Sequence, residues 1–214
     1  PPSCYLILGA NHKSSQTCLS ANNFVTPLGT AENEDALRGL LHTLGIPKME
    51  EVHDTEFSIE TQIPFLQYLF RQRSQTRFVP ILVGNDDPKK IAGIIKKAVA
   101  NYGRRVCILV STDFTHYGNR YEYKPFVYSA REEMYKMDSK AIKYITSMDP
   151  EGFLKYCDEI NTTICGKNAI AVLLEYLEID QKVYNFELLR YYTSADLTGD
   201  YERGAVGYAS IVVR

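Results

Sequence analysis

The sequence predicts an α/β fold with a central, mostly parallel or mixed sheet flanked by helices. Two observations carry that expectation. Short apolar runs of strand character alternate along the chain with longer stretches of helical period, the pattern of strand–helix–strand units. Aspartate-led start signals (Asp86-Asp87 before Pro88, Asp149 before Pro150) stand where helices should begin.

Taken in order, the strands are Cys4 to Leu8, Phe78 to Val83, Val106 to Val110 and Ala205 to Val213, each a short run rich in β-branched and large apolar residues. The first helix, Asn33 to Leu44, places Leu37, Leu40, Leu41 and Leu44 on one face. Helices follow over Ile63 to Arg71, Pro88 to Asn101 and Tyr128 to Thr146, then a short one from Asp149-Pro150 to Tyr156, and finally Asn168 to Leu177. No linker, low-complexity tract or internal repeat divides the chain, so 1–214 reads as a single domain. The opening Pro1, with a strand starting at Cys4, gives the expectation that a segment lies upstream.

The 214 residues, 45% hydrophobic and 23% charged, describe an ordinary globule with ample core. A net charge of −2 with scattered basic residues provides no electrostatic footprint for nucleic acid or an anionic membrane. No apolar run reaches the ~20 residues of a membrane span, and no signal segment opens the chain. Five cysteines (Cys4, Cys18, Cys107, Cys157, Cys165) without a CxxC pair disfavour both a disulfide framework and a zinc ribbon. A reducing, cytoplasmic setting is expected. Cys4 and Cys107, inside apolar strands, read as small buried hydrophobes.

Chemistry concentrates in three turns, each expected where a strand runs out: Gly9-Ala10-Asn11-His12, Ser111-Thr112-Asp113-Phe114-Thr115-His116, and Thr162-Thr163-Ile164-Cys165-Gly166. In open α/β sheets the carboxyl ends of the strands converge on one crevice, where such groups can meet. His12 is a metal ligand or catalytic base by type, or else a loop histidine bonded to backbone. Asp113, three residues before His116, can orient or deprotonate that imidazole, or can serve as a cap. Cys165 precedes the helix starting at Asn168, where free backbone N–H groups and the helix dipole favour a thiolate. His42, in an amphipathic helix, and His53, before Asp54-Thr55-Glu56, read as structural or solvated.

Together these pieces resemble the Memo family, including its AmmeMemoRadiSam system protein B-like members, whose fold is similar to that of class III extradiol dioxygenases. The resemblance runs through Ile7-Leu8-Gly9-Ala10-Asn11-His12, Thr26-Pro27-Leu28-Gly29, Glu56-Phe57-Ser58-Ile59-Glu60, Gln62-Ile63-Pro64-Phe65-Leu66 and Pro80-Ile81-Leu82-Val83-Gly84. It continues through Ser111 to Gly118, Cys165-Gly166, Thr193-Ser194-Ala195-Asp196, Gly199-Asp200-Tyr201 and Val206-Gly207-Tyr208-Ala209. Two departures stand out. The family's Pro-His-Ala-Gly-Tyr segment would precede residue 1, and Phe57 occupies the place of a histidine.

The resemblance implies a dioxygenase-shaped cleft with His12, His116 and Cys165 as metal ligands and Asp113, His116 and Cys165 as catalytic groups. Copper binding with redox activity is the first function it implies, and imidazole plus thiolate suits copper(I). An iron site of His12, His116 and Asp113, acting as an extradiol dioxygenase, is the alternative. A third reading is non-catalytic signalling, with a phosphotyrosine peptide or small molecule held in the cleft by a cation such as Lys13 or Lys167. The many apolar and tyrosine positions leave room for a homodimer face.

Overall fold

A computed structural model describes residues 2–70 and 77–214. In chain order its first elements are β1 (Cys4–Ala10), β2 (Cys18–Leu19), β3 (Phe24–Thr26), β4 (Gly29–Asn33), α1 (Asp35–Thr43), α2 (Glu50–His53), α3 (Ile63–Phe70), β5 (Arg77–Val83), α4 (Pro88–Tyr102) and β6 (Val106–Ser111). Then come β7 (His116–Tyr117), α5 (Ala130–Thr146), α6 (Pro150–Glu159), α7 (Lys167–Asp180), β8 (Phe186–Thr193), α8 (Ala195–Thr198) and β9 (Ala205–Val213). They group into two compact units, one formed by Pro1–Ser111 and Asn168–Asp180, the other by Thr112–Lys167 and Gln181–Arg214.

The first unit is built around β1, all seven residues of which are buried. It pairs in parallel with β5 on one side, Leu6 opposite Val79, and with β6 on the other, Leu6 opposite Ile108. The six-stranded sheet runs β3-β4-β5-β1-β6, with β2 antiparallel to β5 and β3 antiparallel to β4. The expected mostly parallel or mixed sheet is thus present.

Because side chains alternate along a strand, β1 divides the core by parity. Leu6 and Leu8 join Val79, Ile81, Leu37, Leu41, Ile91, Ile95, Ala169 and Val172 on one face, bringing in α1, α4 and α7. Tyr5 and Ile7 join Phe78, Leu82, Ile59, Ile63 and Leu66 on the other. Helices therefore cover both faces, as a parallel sheet requires. The start of α4 follows its expected chemistry: Asp87 accepts a hydrogen bond from Lys89 N at 3.1 Å, Pro88 takes the first turn, and Gly103 closes the end at φ +67°.

The second unit holds the antiparallel sheet β7-β9-β8 together with α5, α6 and α8. Its apolar cluster joins Tyr117, Met134, Ala195 and Ala205, with Phe126 and Tyr201 against it. Asp149 caps α6 by accepting from Gly152 N at 2.7 Å, as its sequence announces. Asp138 on α5 is fully buried and accepts from Thr115 Oγ1 and Tyr191 OH, both at 2.6 Å.

Three expectations need correction. Cys165 does not leave a strand: it lies between α6 and α7, so the third turn joins two helices. Cys107 sits on β6 but is exposed, because β6 ends the sheet path and has a neighbour on one side alone. The strands β2, β3, β4, β7 and β8 add to the four anticipated ones. The helix expected over Ile63 to Arg71 is found as α3 through Phe70, with Arg71 outside the described residues. Among the described residues no helix is long and apolar enough to cross a membrane.

The end of β1 depends on a missing side chain. A Cβ on Gly9 would lie 2.6 Å from Ser58 Oγ and 2.7 Å from Ile59 Cγ1. We expect Gly9→Ala to lower unfolding free energy by about 1–3 kcal/mol, the usual cost of overfilling a packed position. Urea denaturation monitored by circular dichroism measures it, and an unchanged midpoint would show that the loop at Ser58 gives way freely.

Candidate functional site

In the first unit, β1 delivers Asn11 and His12 to its carboxyl end. Asn11 N bonds Val83 O at 3.2 Å, continuing the ladder, and its Oδ1 accepts from Lys13 N at 3.0 Å and Ser14 N at 2.8 Å, turning the chain. His12 then meets Glu56. Its backbone N–H donates to Oε2 at 2.9 Å, and its Nδ1 lies 2.9 Å from Oε2 and 3.1 Å from Oε1. Glu56 Oε1 also accepts from Phe57 N at 2.9 Å and Ser58 N at 3.1 Å. Burial works to raise the pKa of this carboxyl, but the donors around it outweigh burial and hold it below the usual value. The Phe57 ring stacks on His12, centroids 5.6 Å apart and planes 8° from parallel.

In the second unit, Asp113, His116 and Cys165 are brought together. His116 leads into β7, where its N–H donates to Thr163 Oγ1 at 2.7 Å and Thr163 Oγ1 donates back to His116 O at 2.9 Å. Its Nδ1 is 2.8 Å from Thr163 O, and since a carbonyl only accepts, Nδ1 carries the hydrogen. Nε2 faces Asp113 Oδ2 at 3.6 Å, and Tyr121 meets the ring edge-on at 5.0 Å. Burial works to lower the pKa of His116, but Asp113 and the Thr163 carbonyl overcome it and raise the pKa above its ordinary value.

Cys165 Sγ accepts from Asp113 N at 3.4 Å and lies 3.6 Å from Thr112 Oγ1, which in turn accepts from Gly166 N at 2.8 Å. Burial opposes the expected thiolate. Burial pushes the thiol above its ordinary value despite those hydrogen bonds, since desolvating a charge outweighs weak N–H and O–H donation to sulfur.

Other polar groups named from the sequence have their own partners. His42 Nδ1 bonds Ile46 O at 3.1 Å and His53 Nε2 bonds Cys18 O at 3.3 Å, both structural roles. Lys167 is paired with Asp158 at 2.6 Å. Three supporting residues escaped the sequence reading: Glu56, Thr163 and the buried Asp138, which anchors Thr115 beside His116. Glu56 is one of several acidic residues in the run from Asp54 to Glu60 with no local feature to set it apart, and a threonine that acts through its carbonyl leaves no signal in sequence.

Among the described residues no three His, Cys, Asp or Glu side chains form a group that could hold a metal ion. Asp113 links the two candidate side chains of the second unit, its carboxylate 3.6 Å from His116 Nε2 and its N–H bonded to Cys165 Sγ at 3.4 Å.

Replacing Asp113 tests the electrostatics. Asp113→Asn removes the carboxylate that raises His116, so the imidazole pKa should fall, as read by NMR titration. A raised folded-state pKa stabilises fully below the unfolded value of about 6.5 and is lost as pH rises through the folded value. The stability gap between wild type and Asp113→Asn should therefore be widest in mildly acid solution and narrow toward alkaline pH. An unmoved His116 titration would remove Asp113 from its support.

Residues 1–212 match the family model described as Memo-like protein. A MEMO1 family protein of Thermococcus kodakarensis is 33% identical over 225 aligned positions, which cover 100% of this chain and 77% of that one. A MEMO1 family protein of Thermoplasma volcanium is 34% identical over 214 positions, covering 97% of this chain and 73% of that relative. Among solved structures, an uncharacterized protein of Escherichia coli K12, JW3007, is alike in fold with a TM-score of 0.55 at 12% identity, covering 96% of this chain and 86% of that one. On the whole-length family match and these relatives, the chain belongs to the Memo family.

Proposed function

We propose that this Memo family protein binds copper(I) through His116 and Cys165 and acts as a redox protein. The observation that carries the reading is the tautomer of His116: the Thr163 carbonyl 2.8 Å from Nδ1 directs Nε2 toward the Asp113 carboxylate at 3.6 Å, and the N–H of the same Asp113 bonds Cys165 Sγ at 3.4 Å. Fixing the far nitrogen of an imidazole in this way is how metal-ligating histidines are oriented. The family model crosses both compact units, which supports treating 1–214 as one functional domain.

Bound copper would supply one-electron transfer. The protein's own part is orientation and charge. Thr163 fixes the His116 backbone through its hydroxyl and the imidazole through its carbonyl, and the N–H of Asp113 offers a hydrogen bond that tempers charge on Sγ. The raised thiol pKa means that Cys165 must lose a proton to bind a cation, so binding should weaken as pH falls. Thr112 ties Asp113, Cys165 and Gly166 into one turn through bonds of 2.8 to 3.6 Å.

Competition of the full chain against a chromogenic copper(I) chelator is the test. Cys165→Ser and His116→Ala should each weaken copper(I) binding by more than the ~10–100-fold that loss of a supporting hydrogen bond costs. Proton release should accompany loading. Equal copper(I) affinity in wild type and Cys165→Ser would end the proposal, and iron(II) binding with oxygen uptake on catechols would replace it with a dioxygenase-type reading.

A further inference from the structure

We propose that Glu56 is a positioning residue that holds His12 in its Nδ1–H form, leaving the Nε2 lone pair as the atom the first unit offers to a proton or a cation. The inference rests on reading His12 as a site residue, a role independent of the second unit's thiol. It begins from the neighbours of the carboxylate. Those within hydrogen-bond distance are the N–H groups of His12, Phe57 and Ser58 and the His12 ring nitrogen.

Three of these four contacts are backbone amides, which can only donate. The side chain of Glu56 is 1% exposed, so water does not reach its oxygens, and its hydrogen-bonded environment favours the ionised acceptor over the protonated acid. An ionised carboxylate has no hydrogen to give. The ring nitrogen facing it at 2.9 Å therefore has to be the donor, and in a neutral imidazole the hydrogen on Nδ1 leaves Nε2 as a bare lone pair. Free histidine prefers the opposite tautomer, so the arrangement reverses an intrinsic bias.

The carboxylate can do this only if it is itself immobile. Ser58 Oγ donates to Ala10 O at 2.9 Å, tying the segment after Glu56 to the last residue of β1. Gly9 makes the approach feasible, because any Cβ there would strike Ser58 Oγ at 2.6 Å. Phe57, stacked parallel on the imidazole at 5.6 Å, restrains the ring plane from its face. The His12 side chain remains 37% exposed, and none of its contacts among the described residues is made by Nε2.

Long-range 1H–15N NMR of the uniformly 15N-labelled full chain reads the tautomer directly, in alkaline solution where imidazoles are neutral. The expected spectrum for His12 is a pyrrole-like, protonated Nδ1 and a pyridine-like Nε2. A pyrrole-like Nε2, or averaged shifts of a tautomer mixture, would overturn the proposal using wild-type protein alone. Glu56→Gln, which keeps the shape but turns an NH2 toward backbone donors, should shift both nitrogens toward the Nε2–H form, whereas Phe57→Leu should leave the tautomer as it is. Folded Glu56→Gln retaining a pure Nδ1–H form would show that Glu56 merely fills space. Copper(I) titration is a separate arm: lost metal binding with an intact Nδ1–H tautomer defeats the copper reading and leaves the positioning role standing.

Discussion

A strand buried on both faces can exist only if neighbours on each side take all its backbone hydrogen bonds and helices above and below take all its side chains. β1 meets that condition. Its parallel partners β5 and β6 satisfy the ladder, and the parity of its residues sends Leu6 and Leu8 to one apolar cluster and Tyr5 and Ile7 to the other. With its register set on both sides, a slip of one residue would turn every side chain to the wrong cluster. The position of His12 follows from this, because it is the second residue beyond a strand that has no freedom to shift. Precision at the first unit's site is therefore inherited from the core and does not have to be supplied by the loop.

The second unit places its groups by other means. No long buried strand leads into His116, and β7 contributes two residues. The turn is instead held by side-chain and backbone hydrogen bonds: Thr163 clasps His116 from both backbone sides, Thr112 bonds Gly166, and Asp138 grips Thr115 from beneath. Asp138 is an acidic residue buried where it holds Thr115 and Tyr191. Burial raises its pKa against the pull of Thr115 and Tyr191, so part of the unit's folding energy is committed to desolvating a carboxylate. Gly207 leaves the space it needs, since a Cβ there would come 2.3 Å from Asp138 Oδ2.

What could be read in sequence follows from how local the determining physics is. The β1, β5, β6 and β9 runs are apolar enough to announce themselves, and Asp87-Pro88 and Asp149-Pro150 mark helix starts because capping acts within one turn. By contrast β4, with the sequence Gly-Thr-Ala-Glu-Asn, and β8, with Glu187 and Arg190 and a register shift between Leu188 and Arg190, have no strong strand pattern and exist because a neighbour pairs with them. Among the candidate groups, His12 of the first unit and Asp113, His116 and Cys165 of the second were recognisable by type. Their supports were not, because Glu56 stands 44 positions from His12 and Thr163 stands 47 from His116, contacts that the fold alone creates. The balance at Cys165 is hidden for a related reason: the helix terminus that favours a thiolate is visible in sequence, whereas the burial that opposes it is not.

The two histidines are oriented by one device with different strengths. Each has Nδ1 hydrogen-bonded to an acceptor, but His12 leans on an ionised carboxylate and His116 on a neutral carbonyl. A charge-assisted hydrogen bond is roughly twice as strong as a neutral one, and it transfers more electron density into the ring, making Nε2 the better donor. The second unit compensates by setting the Asp113 carboxylate near the opposite nitrogen, 3.6 Å from Nε2. That charge favours a proton or a cation on Nε2 without passing through the ring. The first unit thus acts on its imidazole through Nδ1, whereas the second acts on both ring nitrogens, through a carbonyl at Nδ1 and a carboxylate near Nε2.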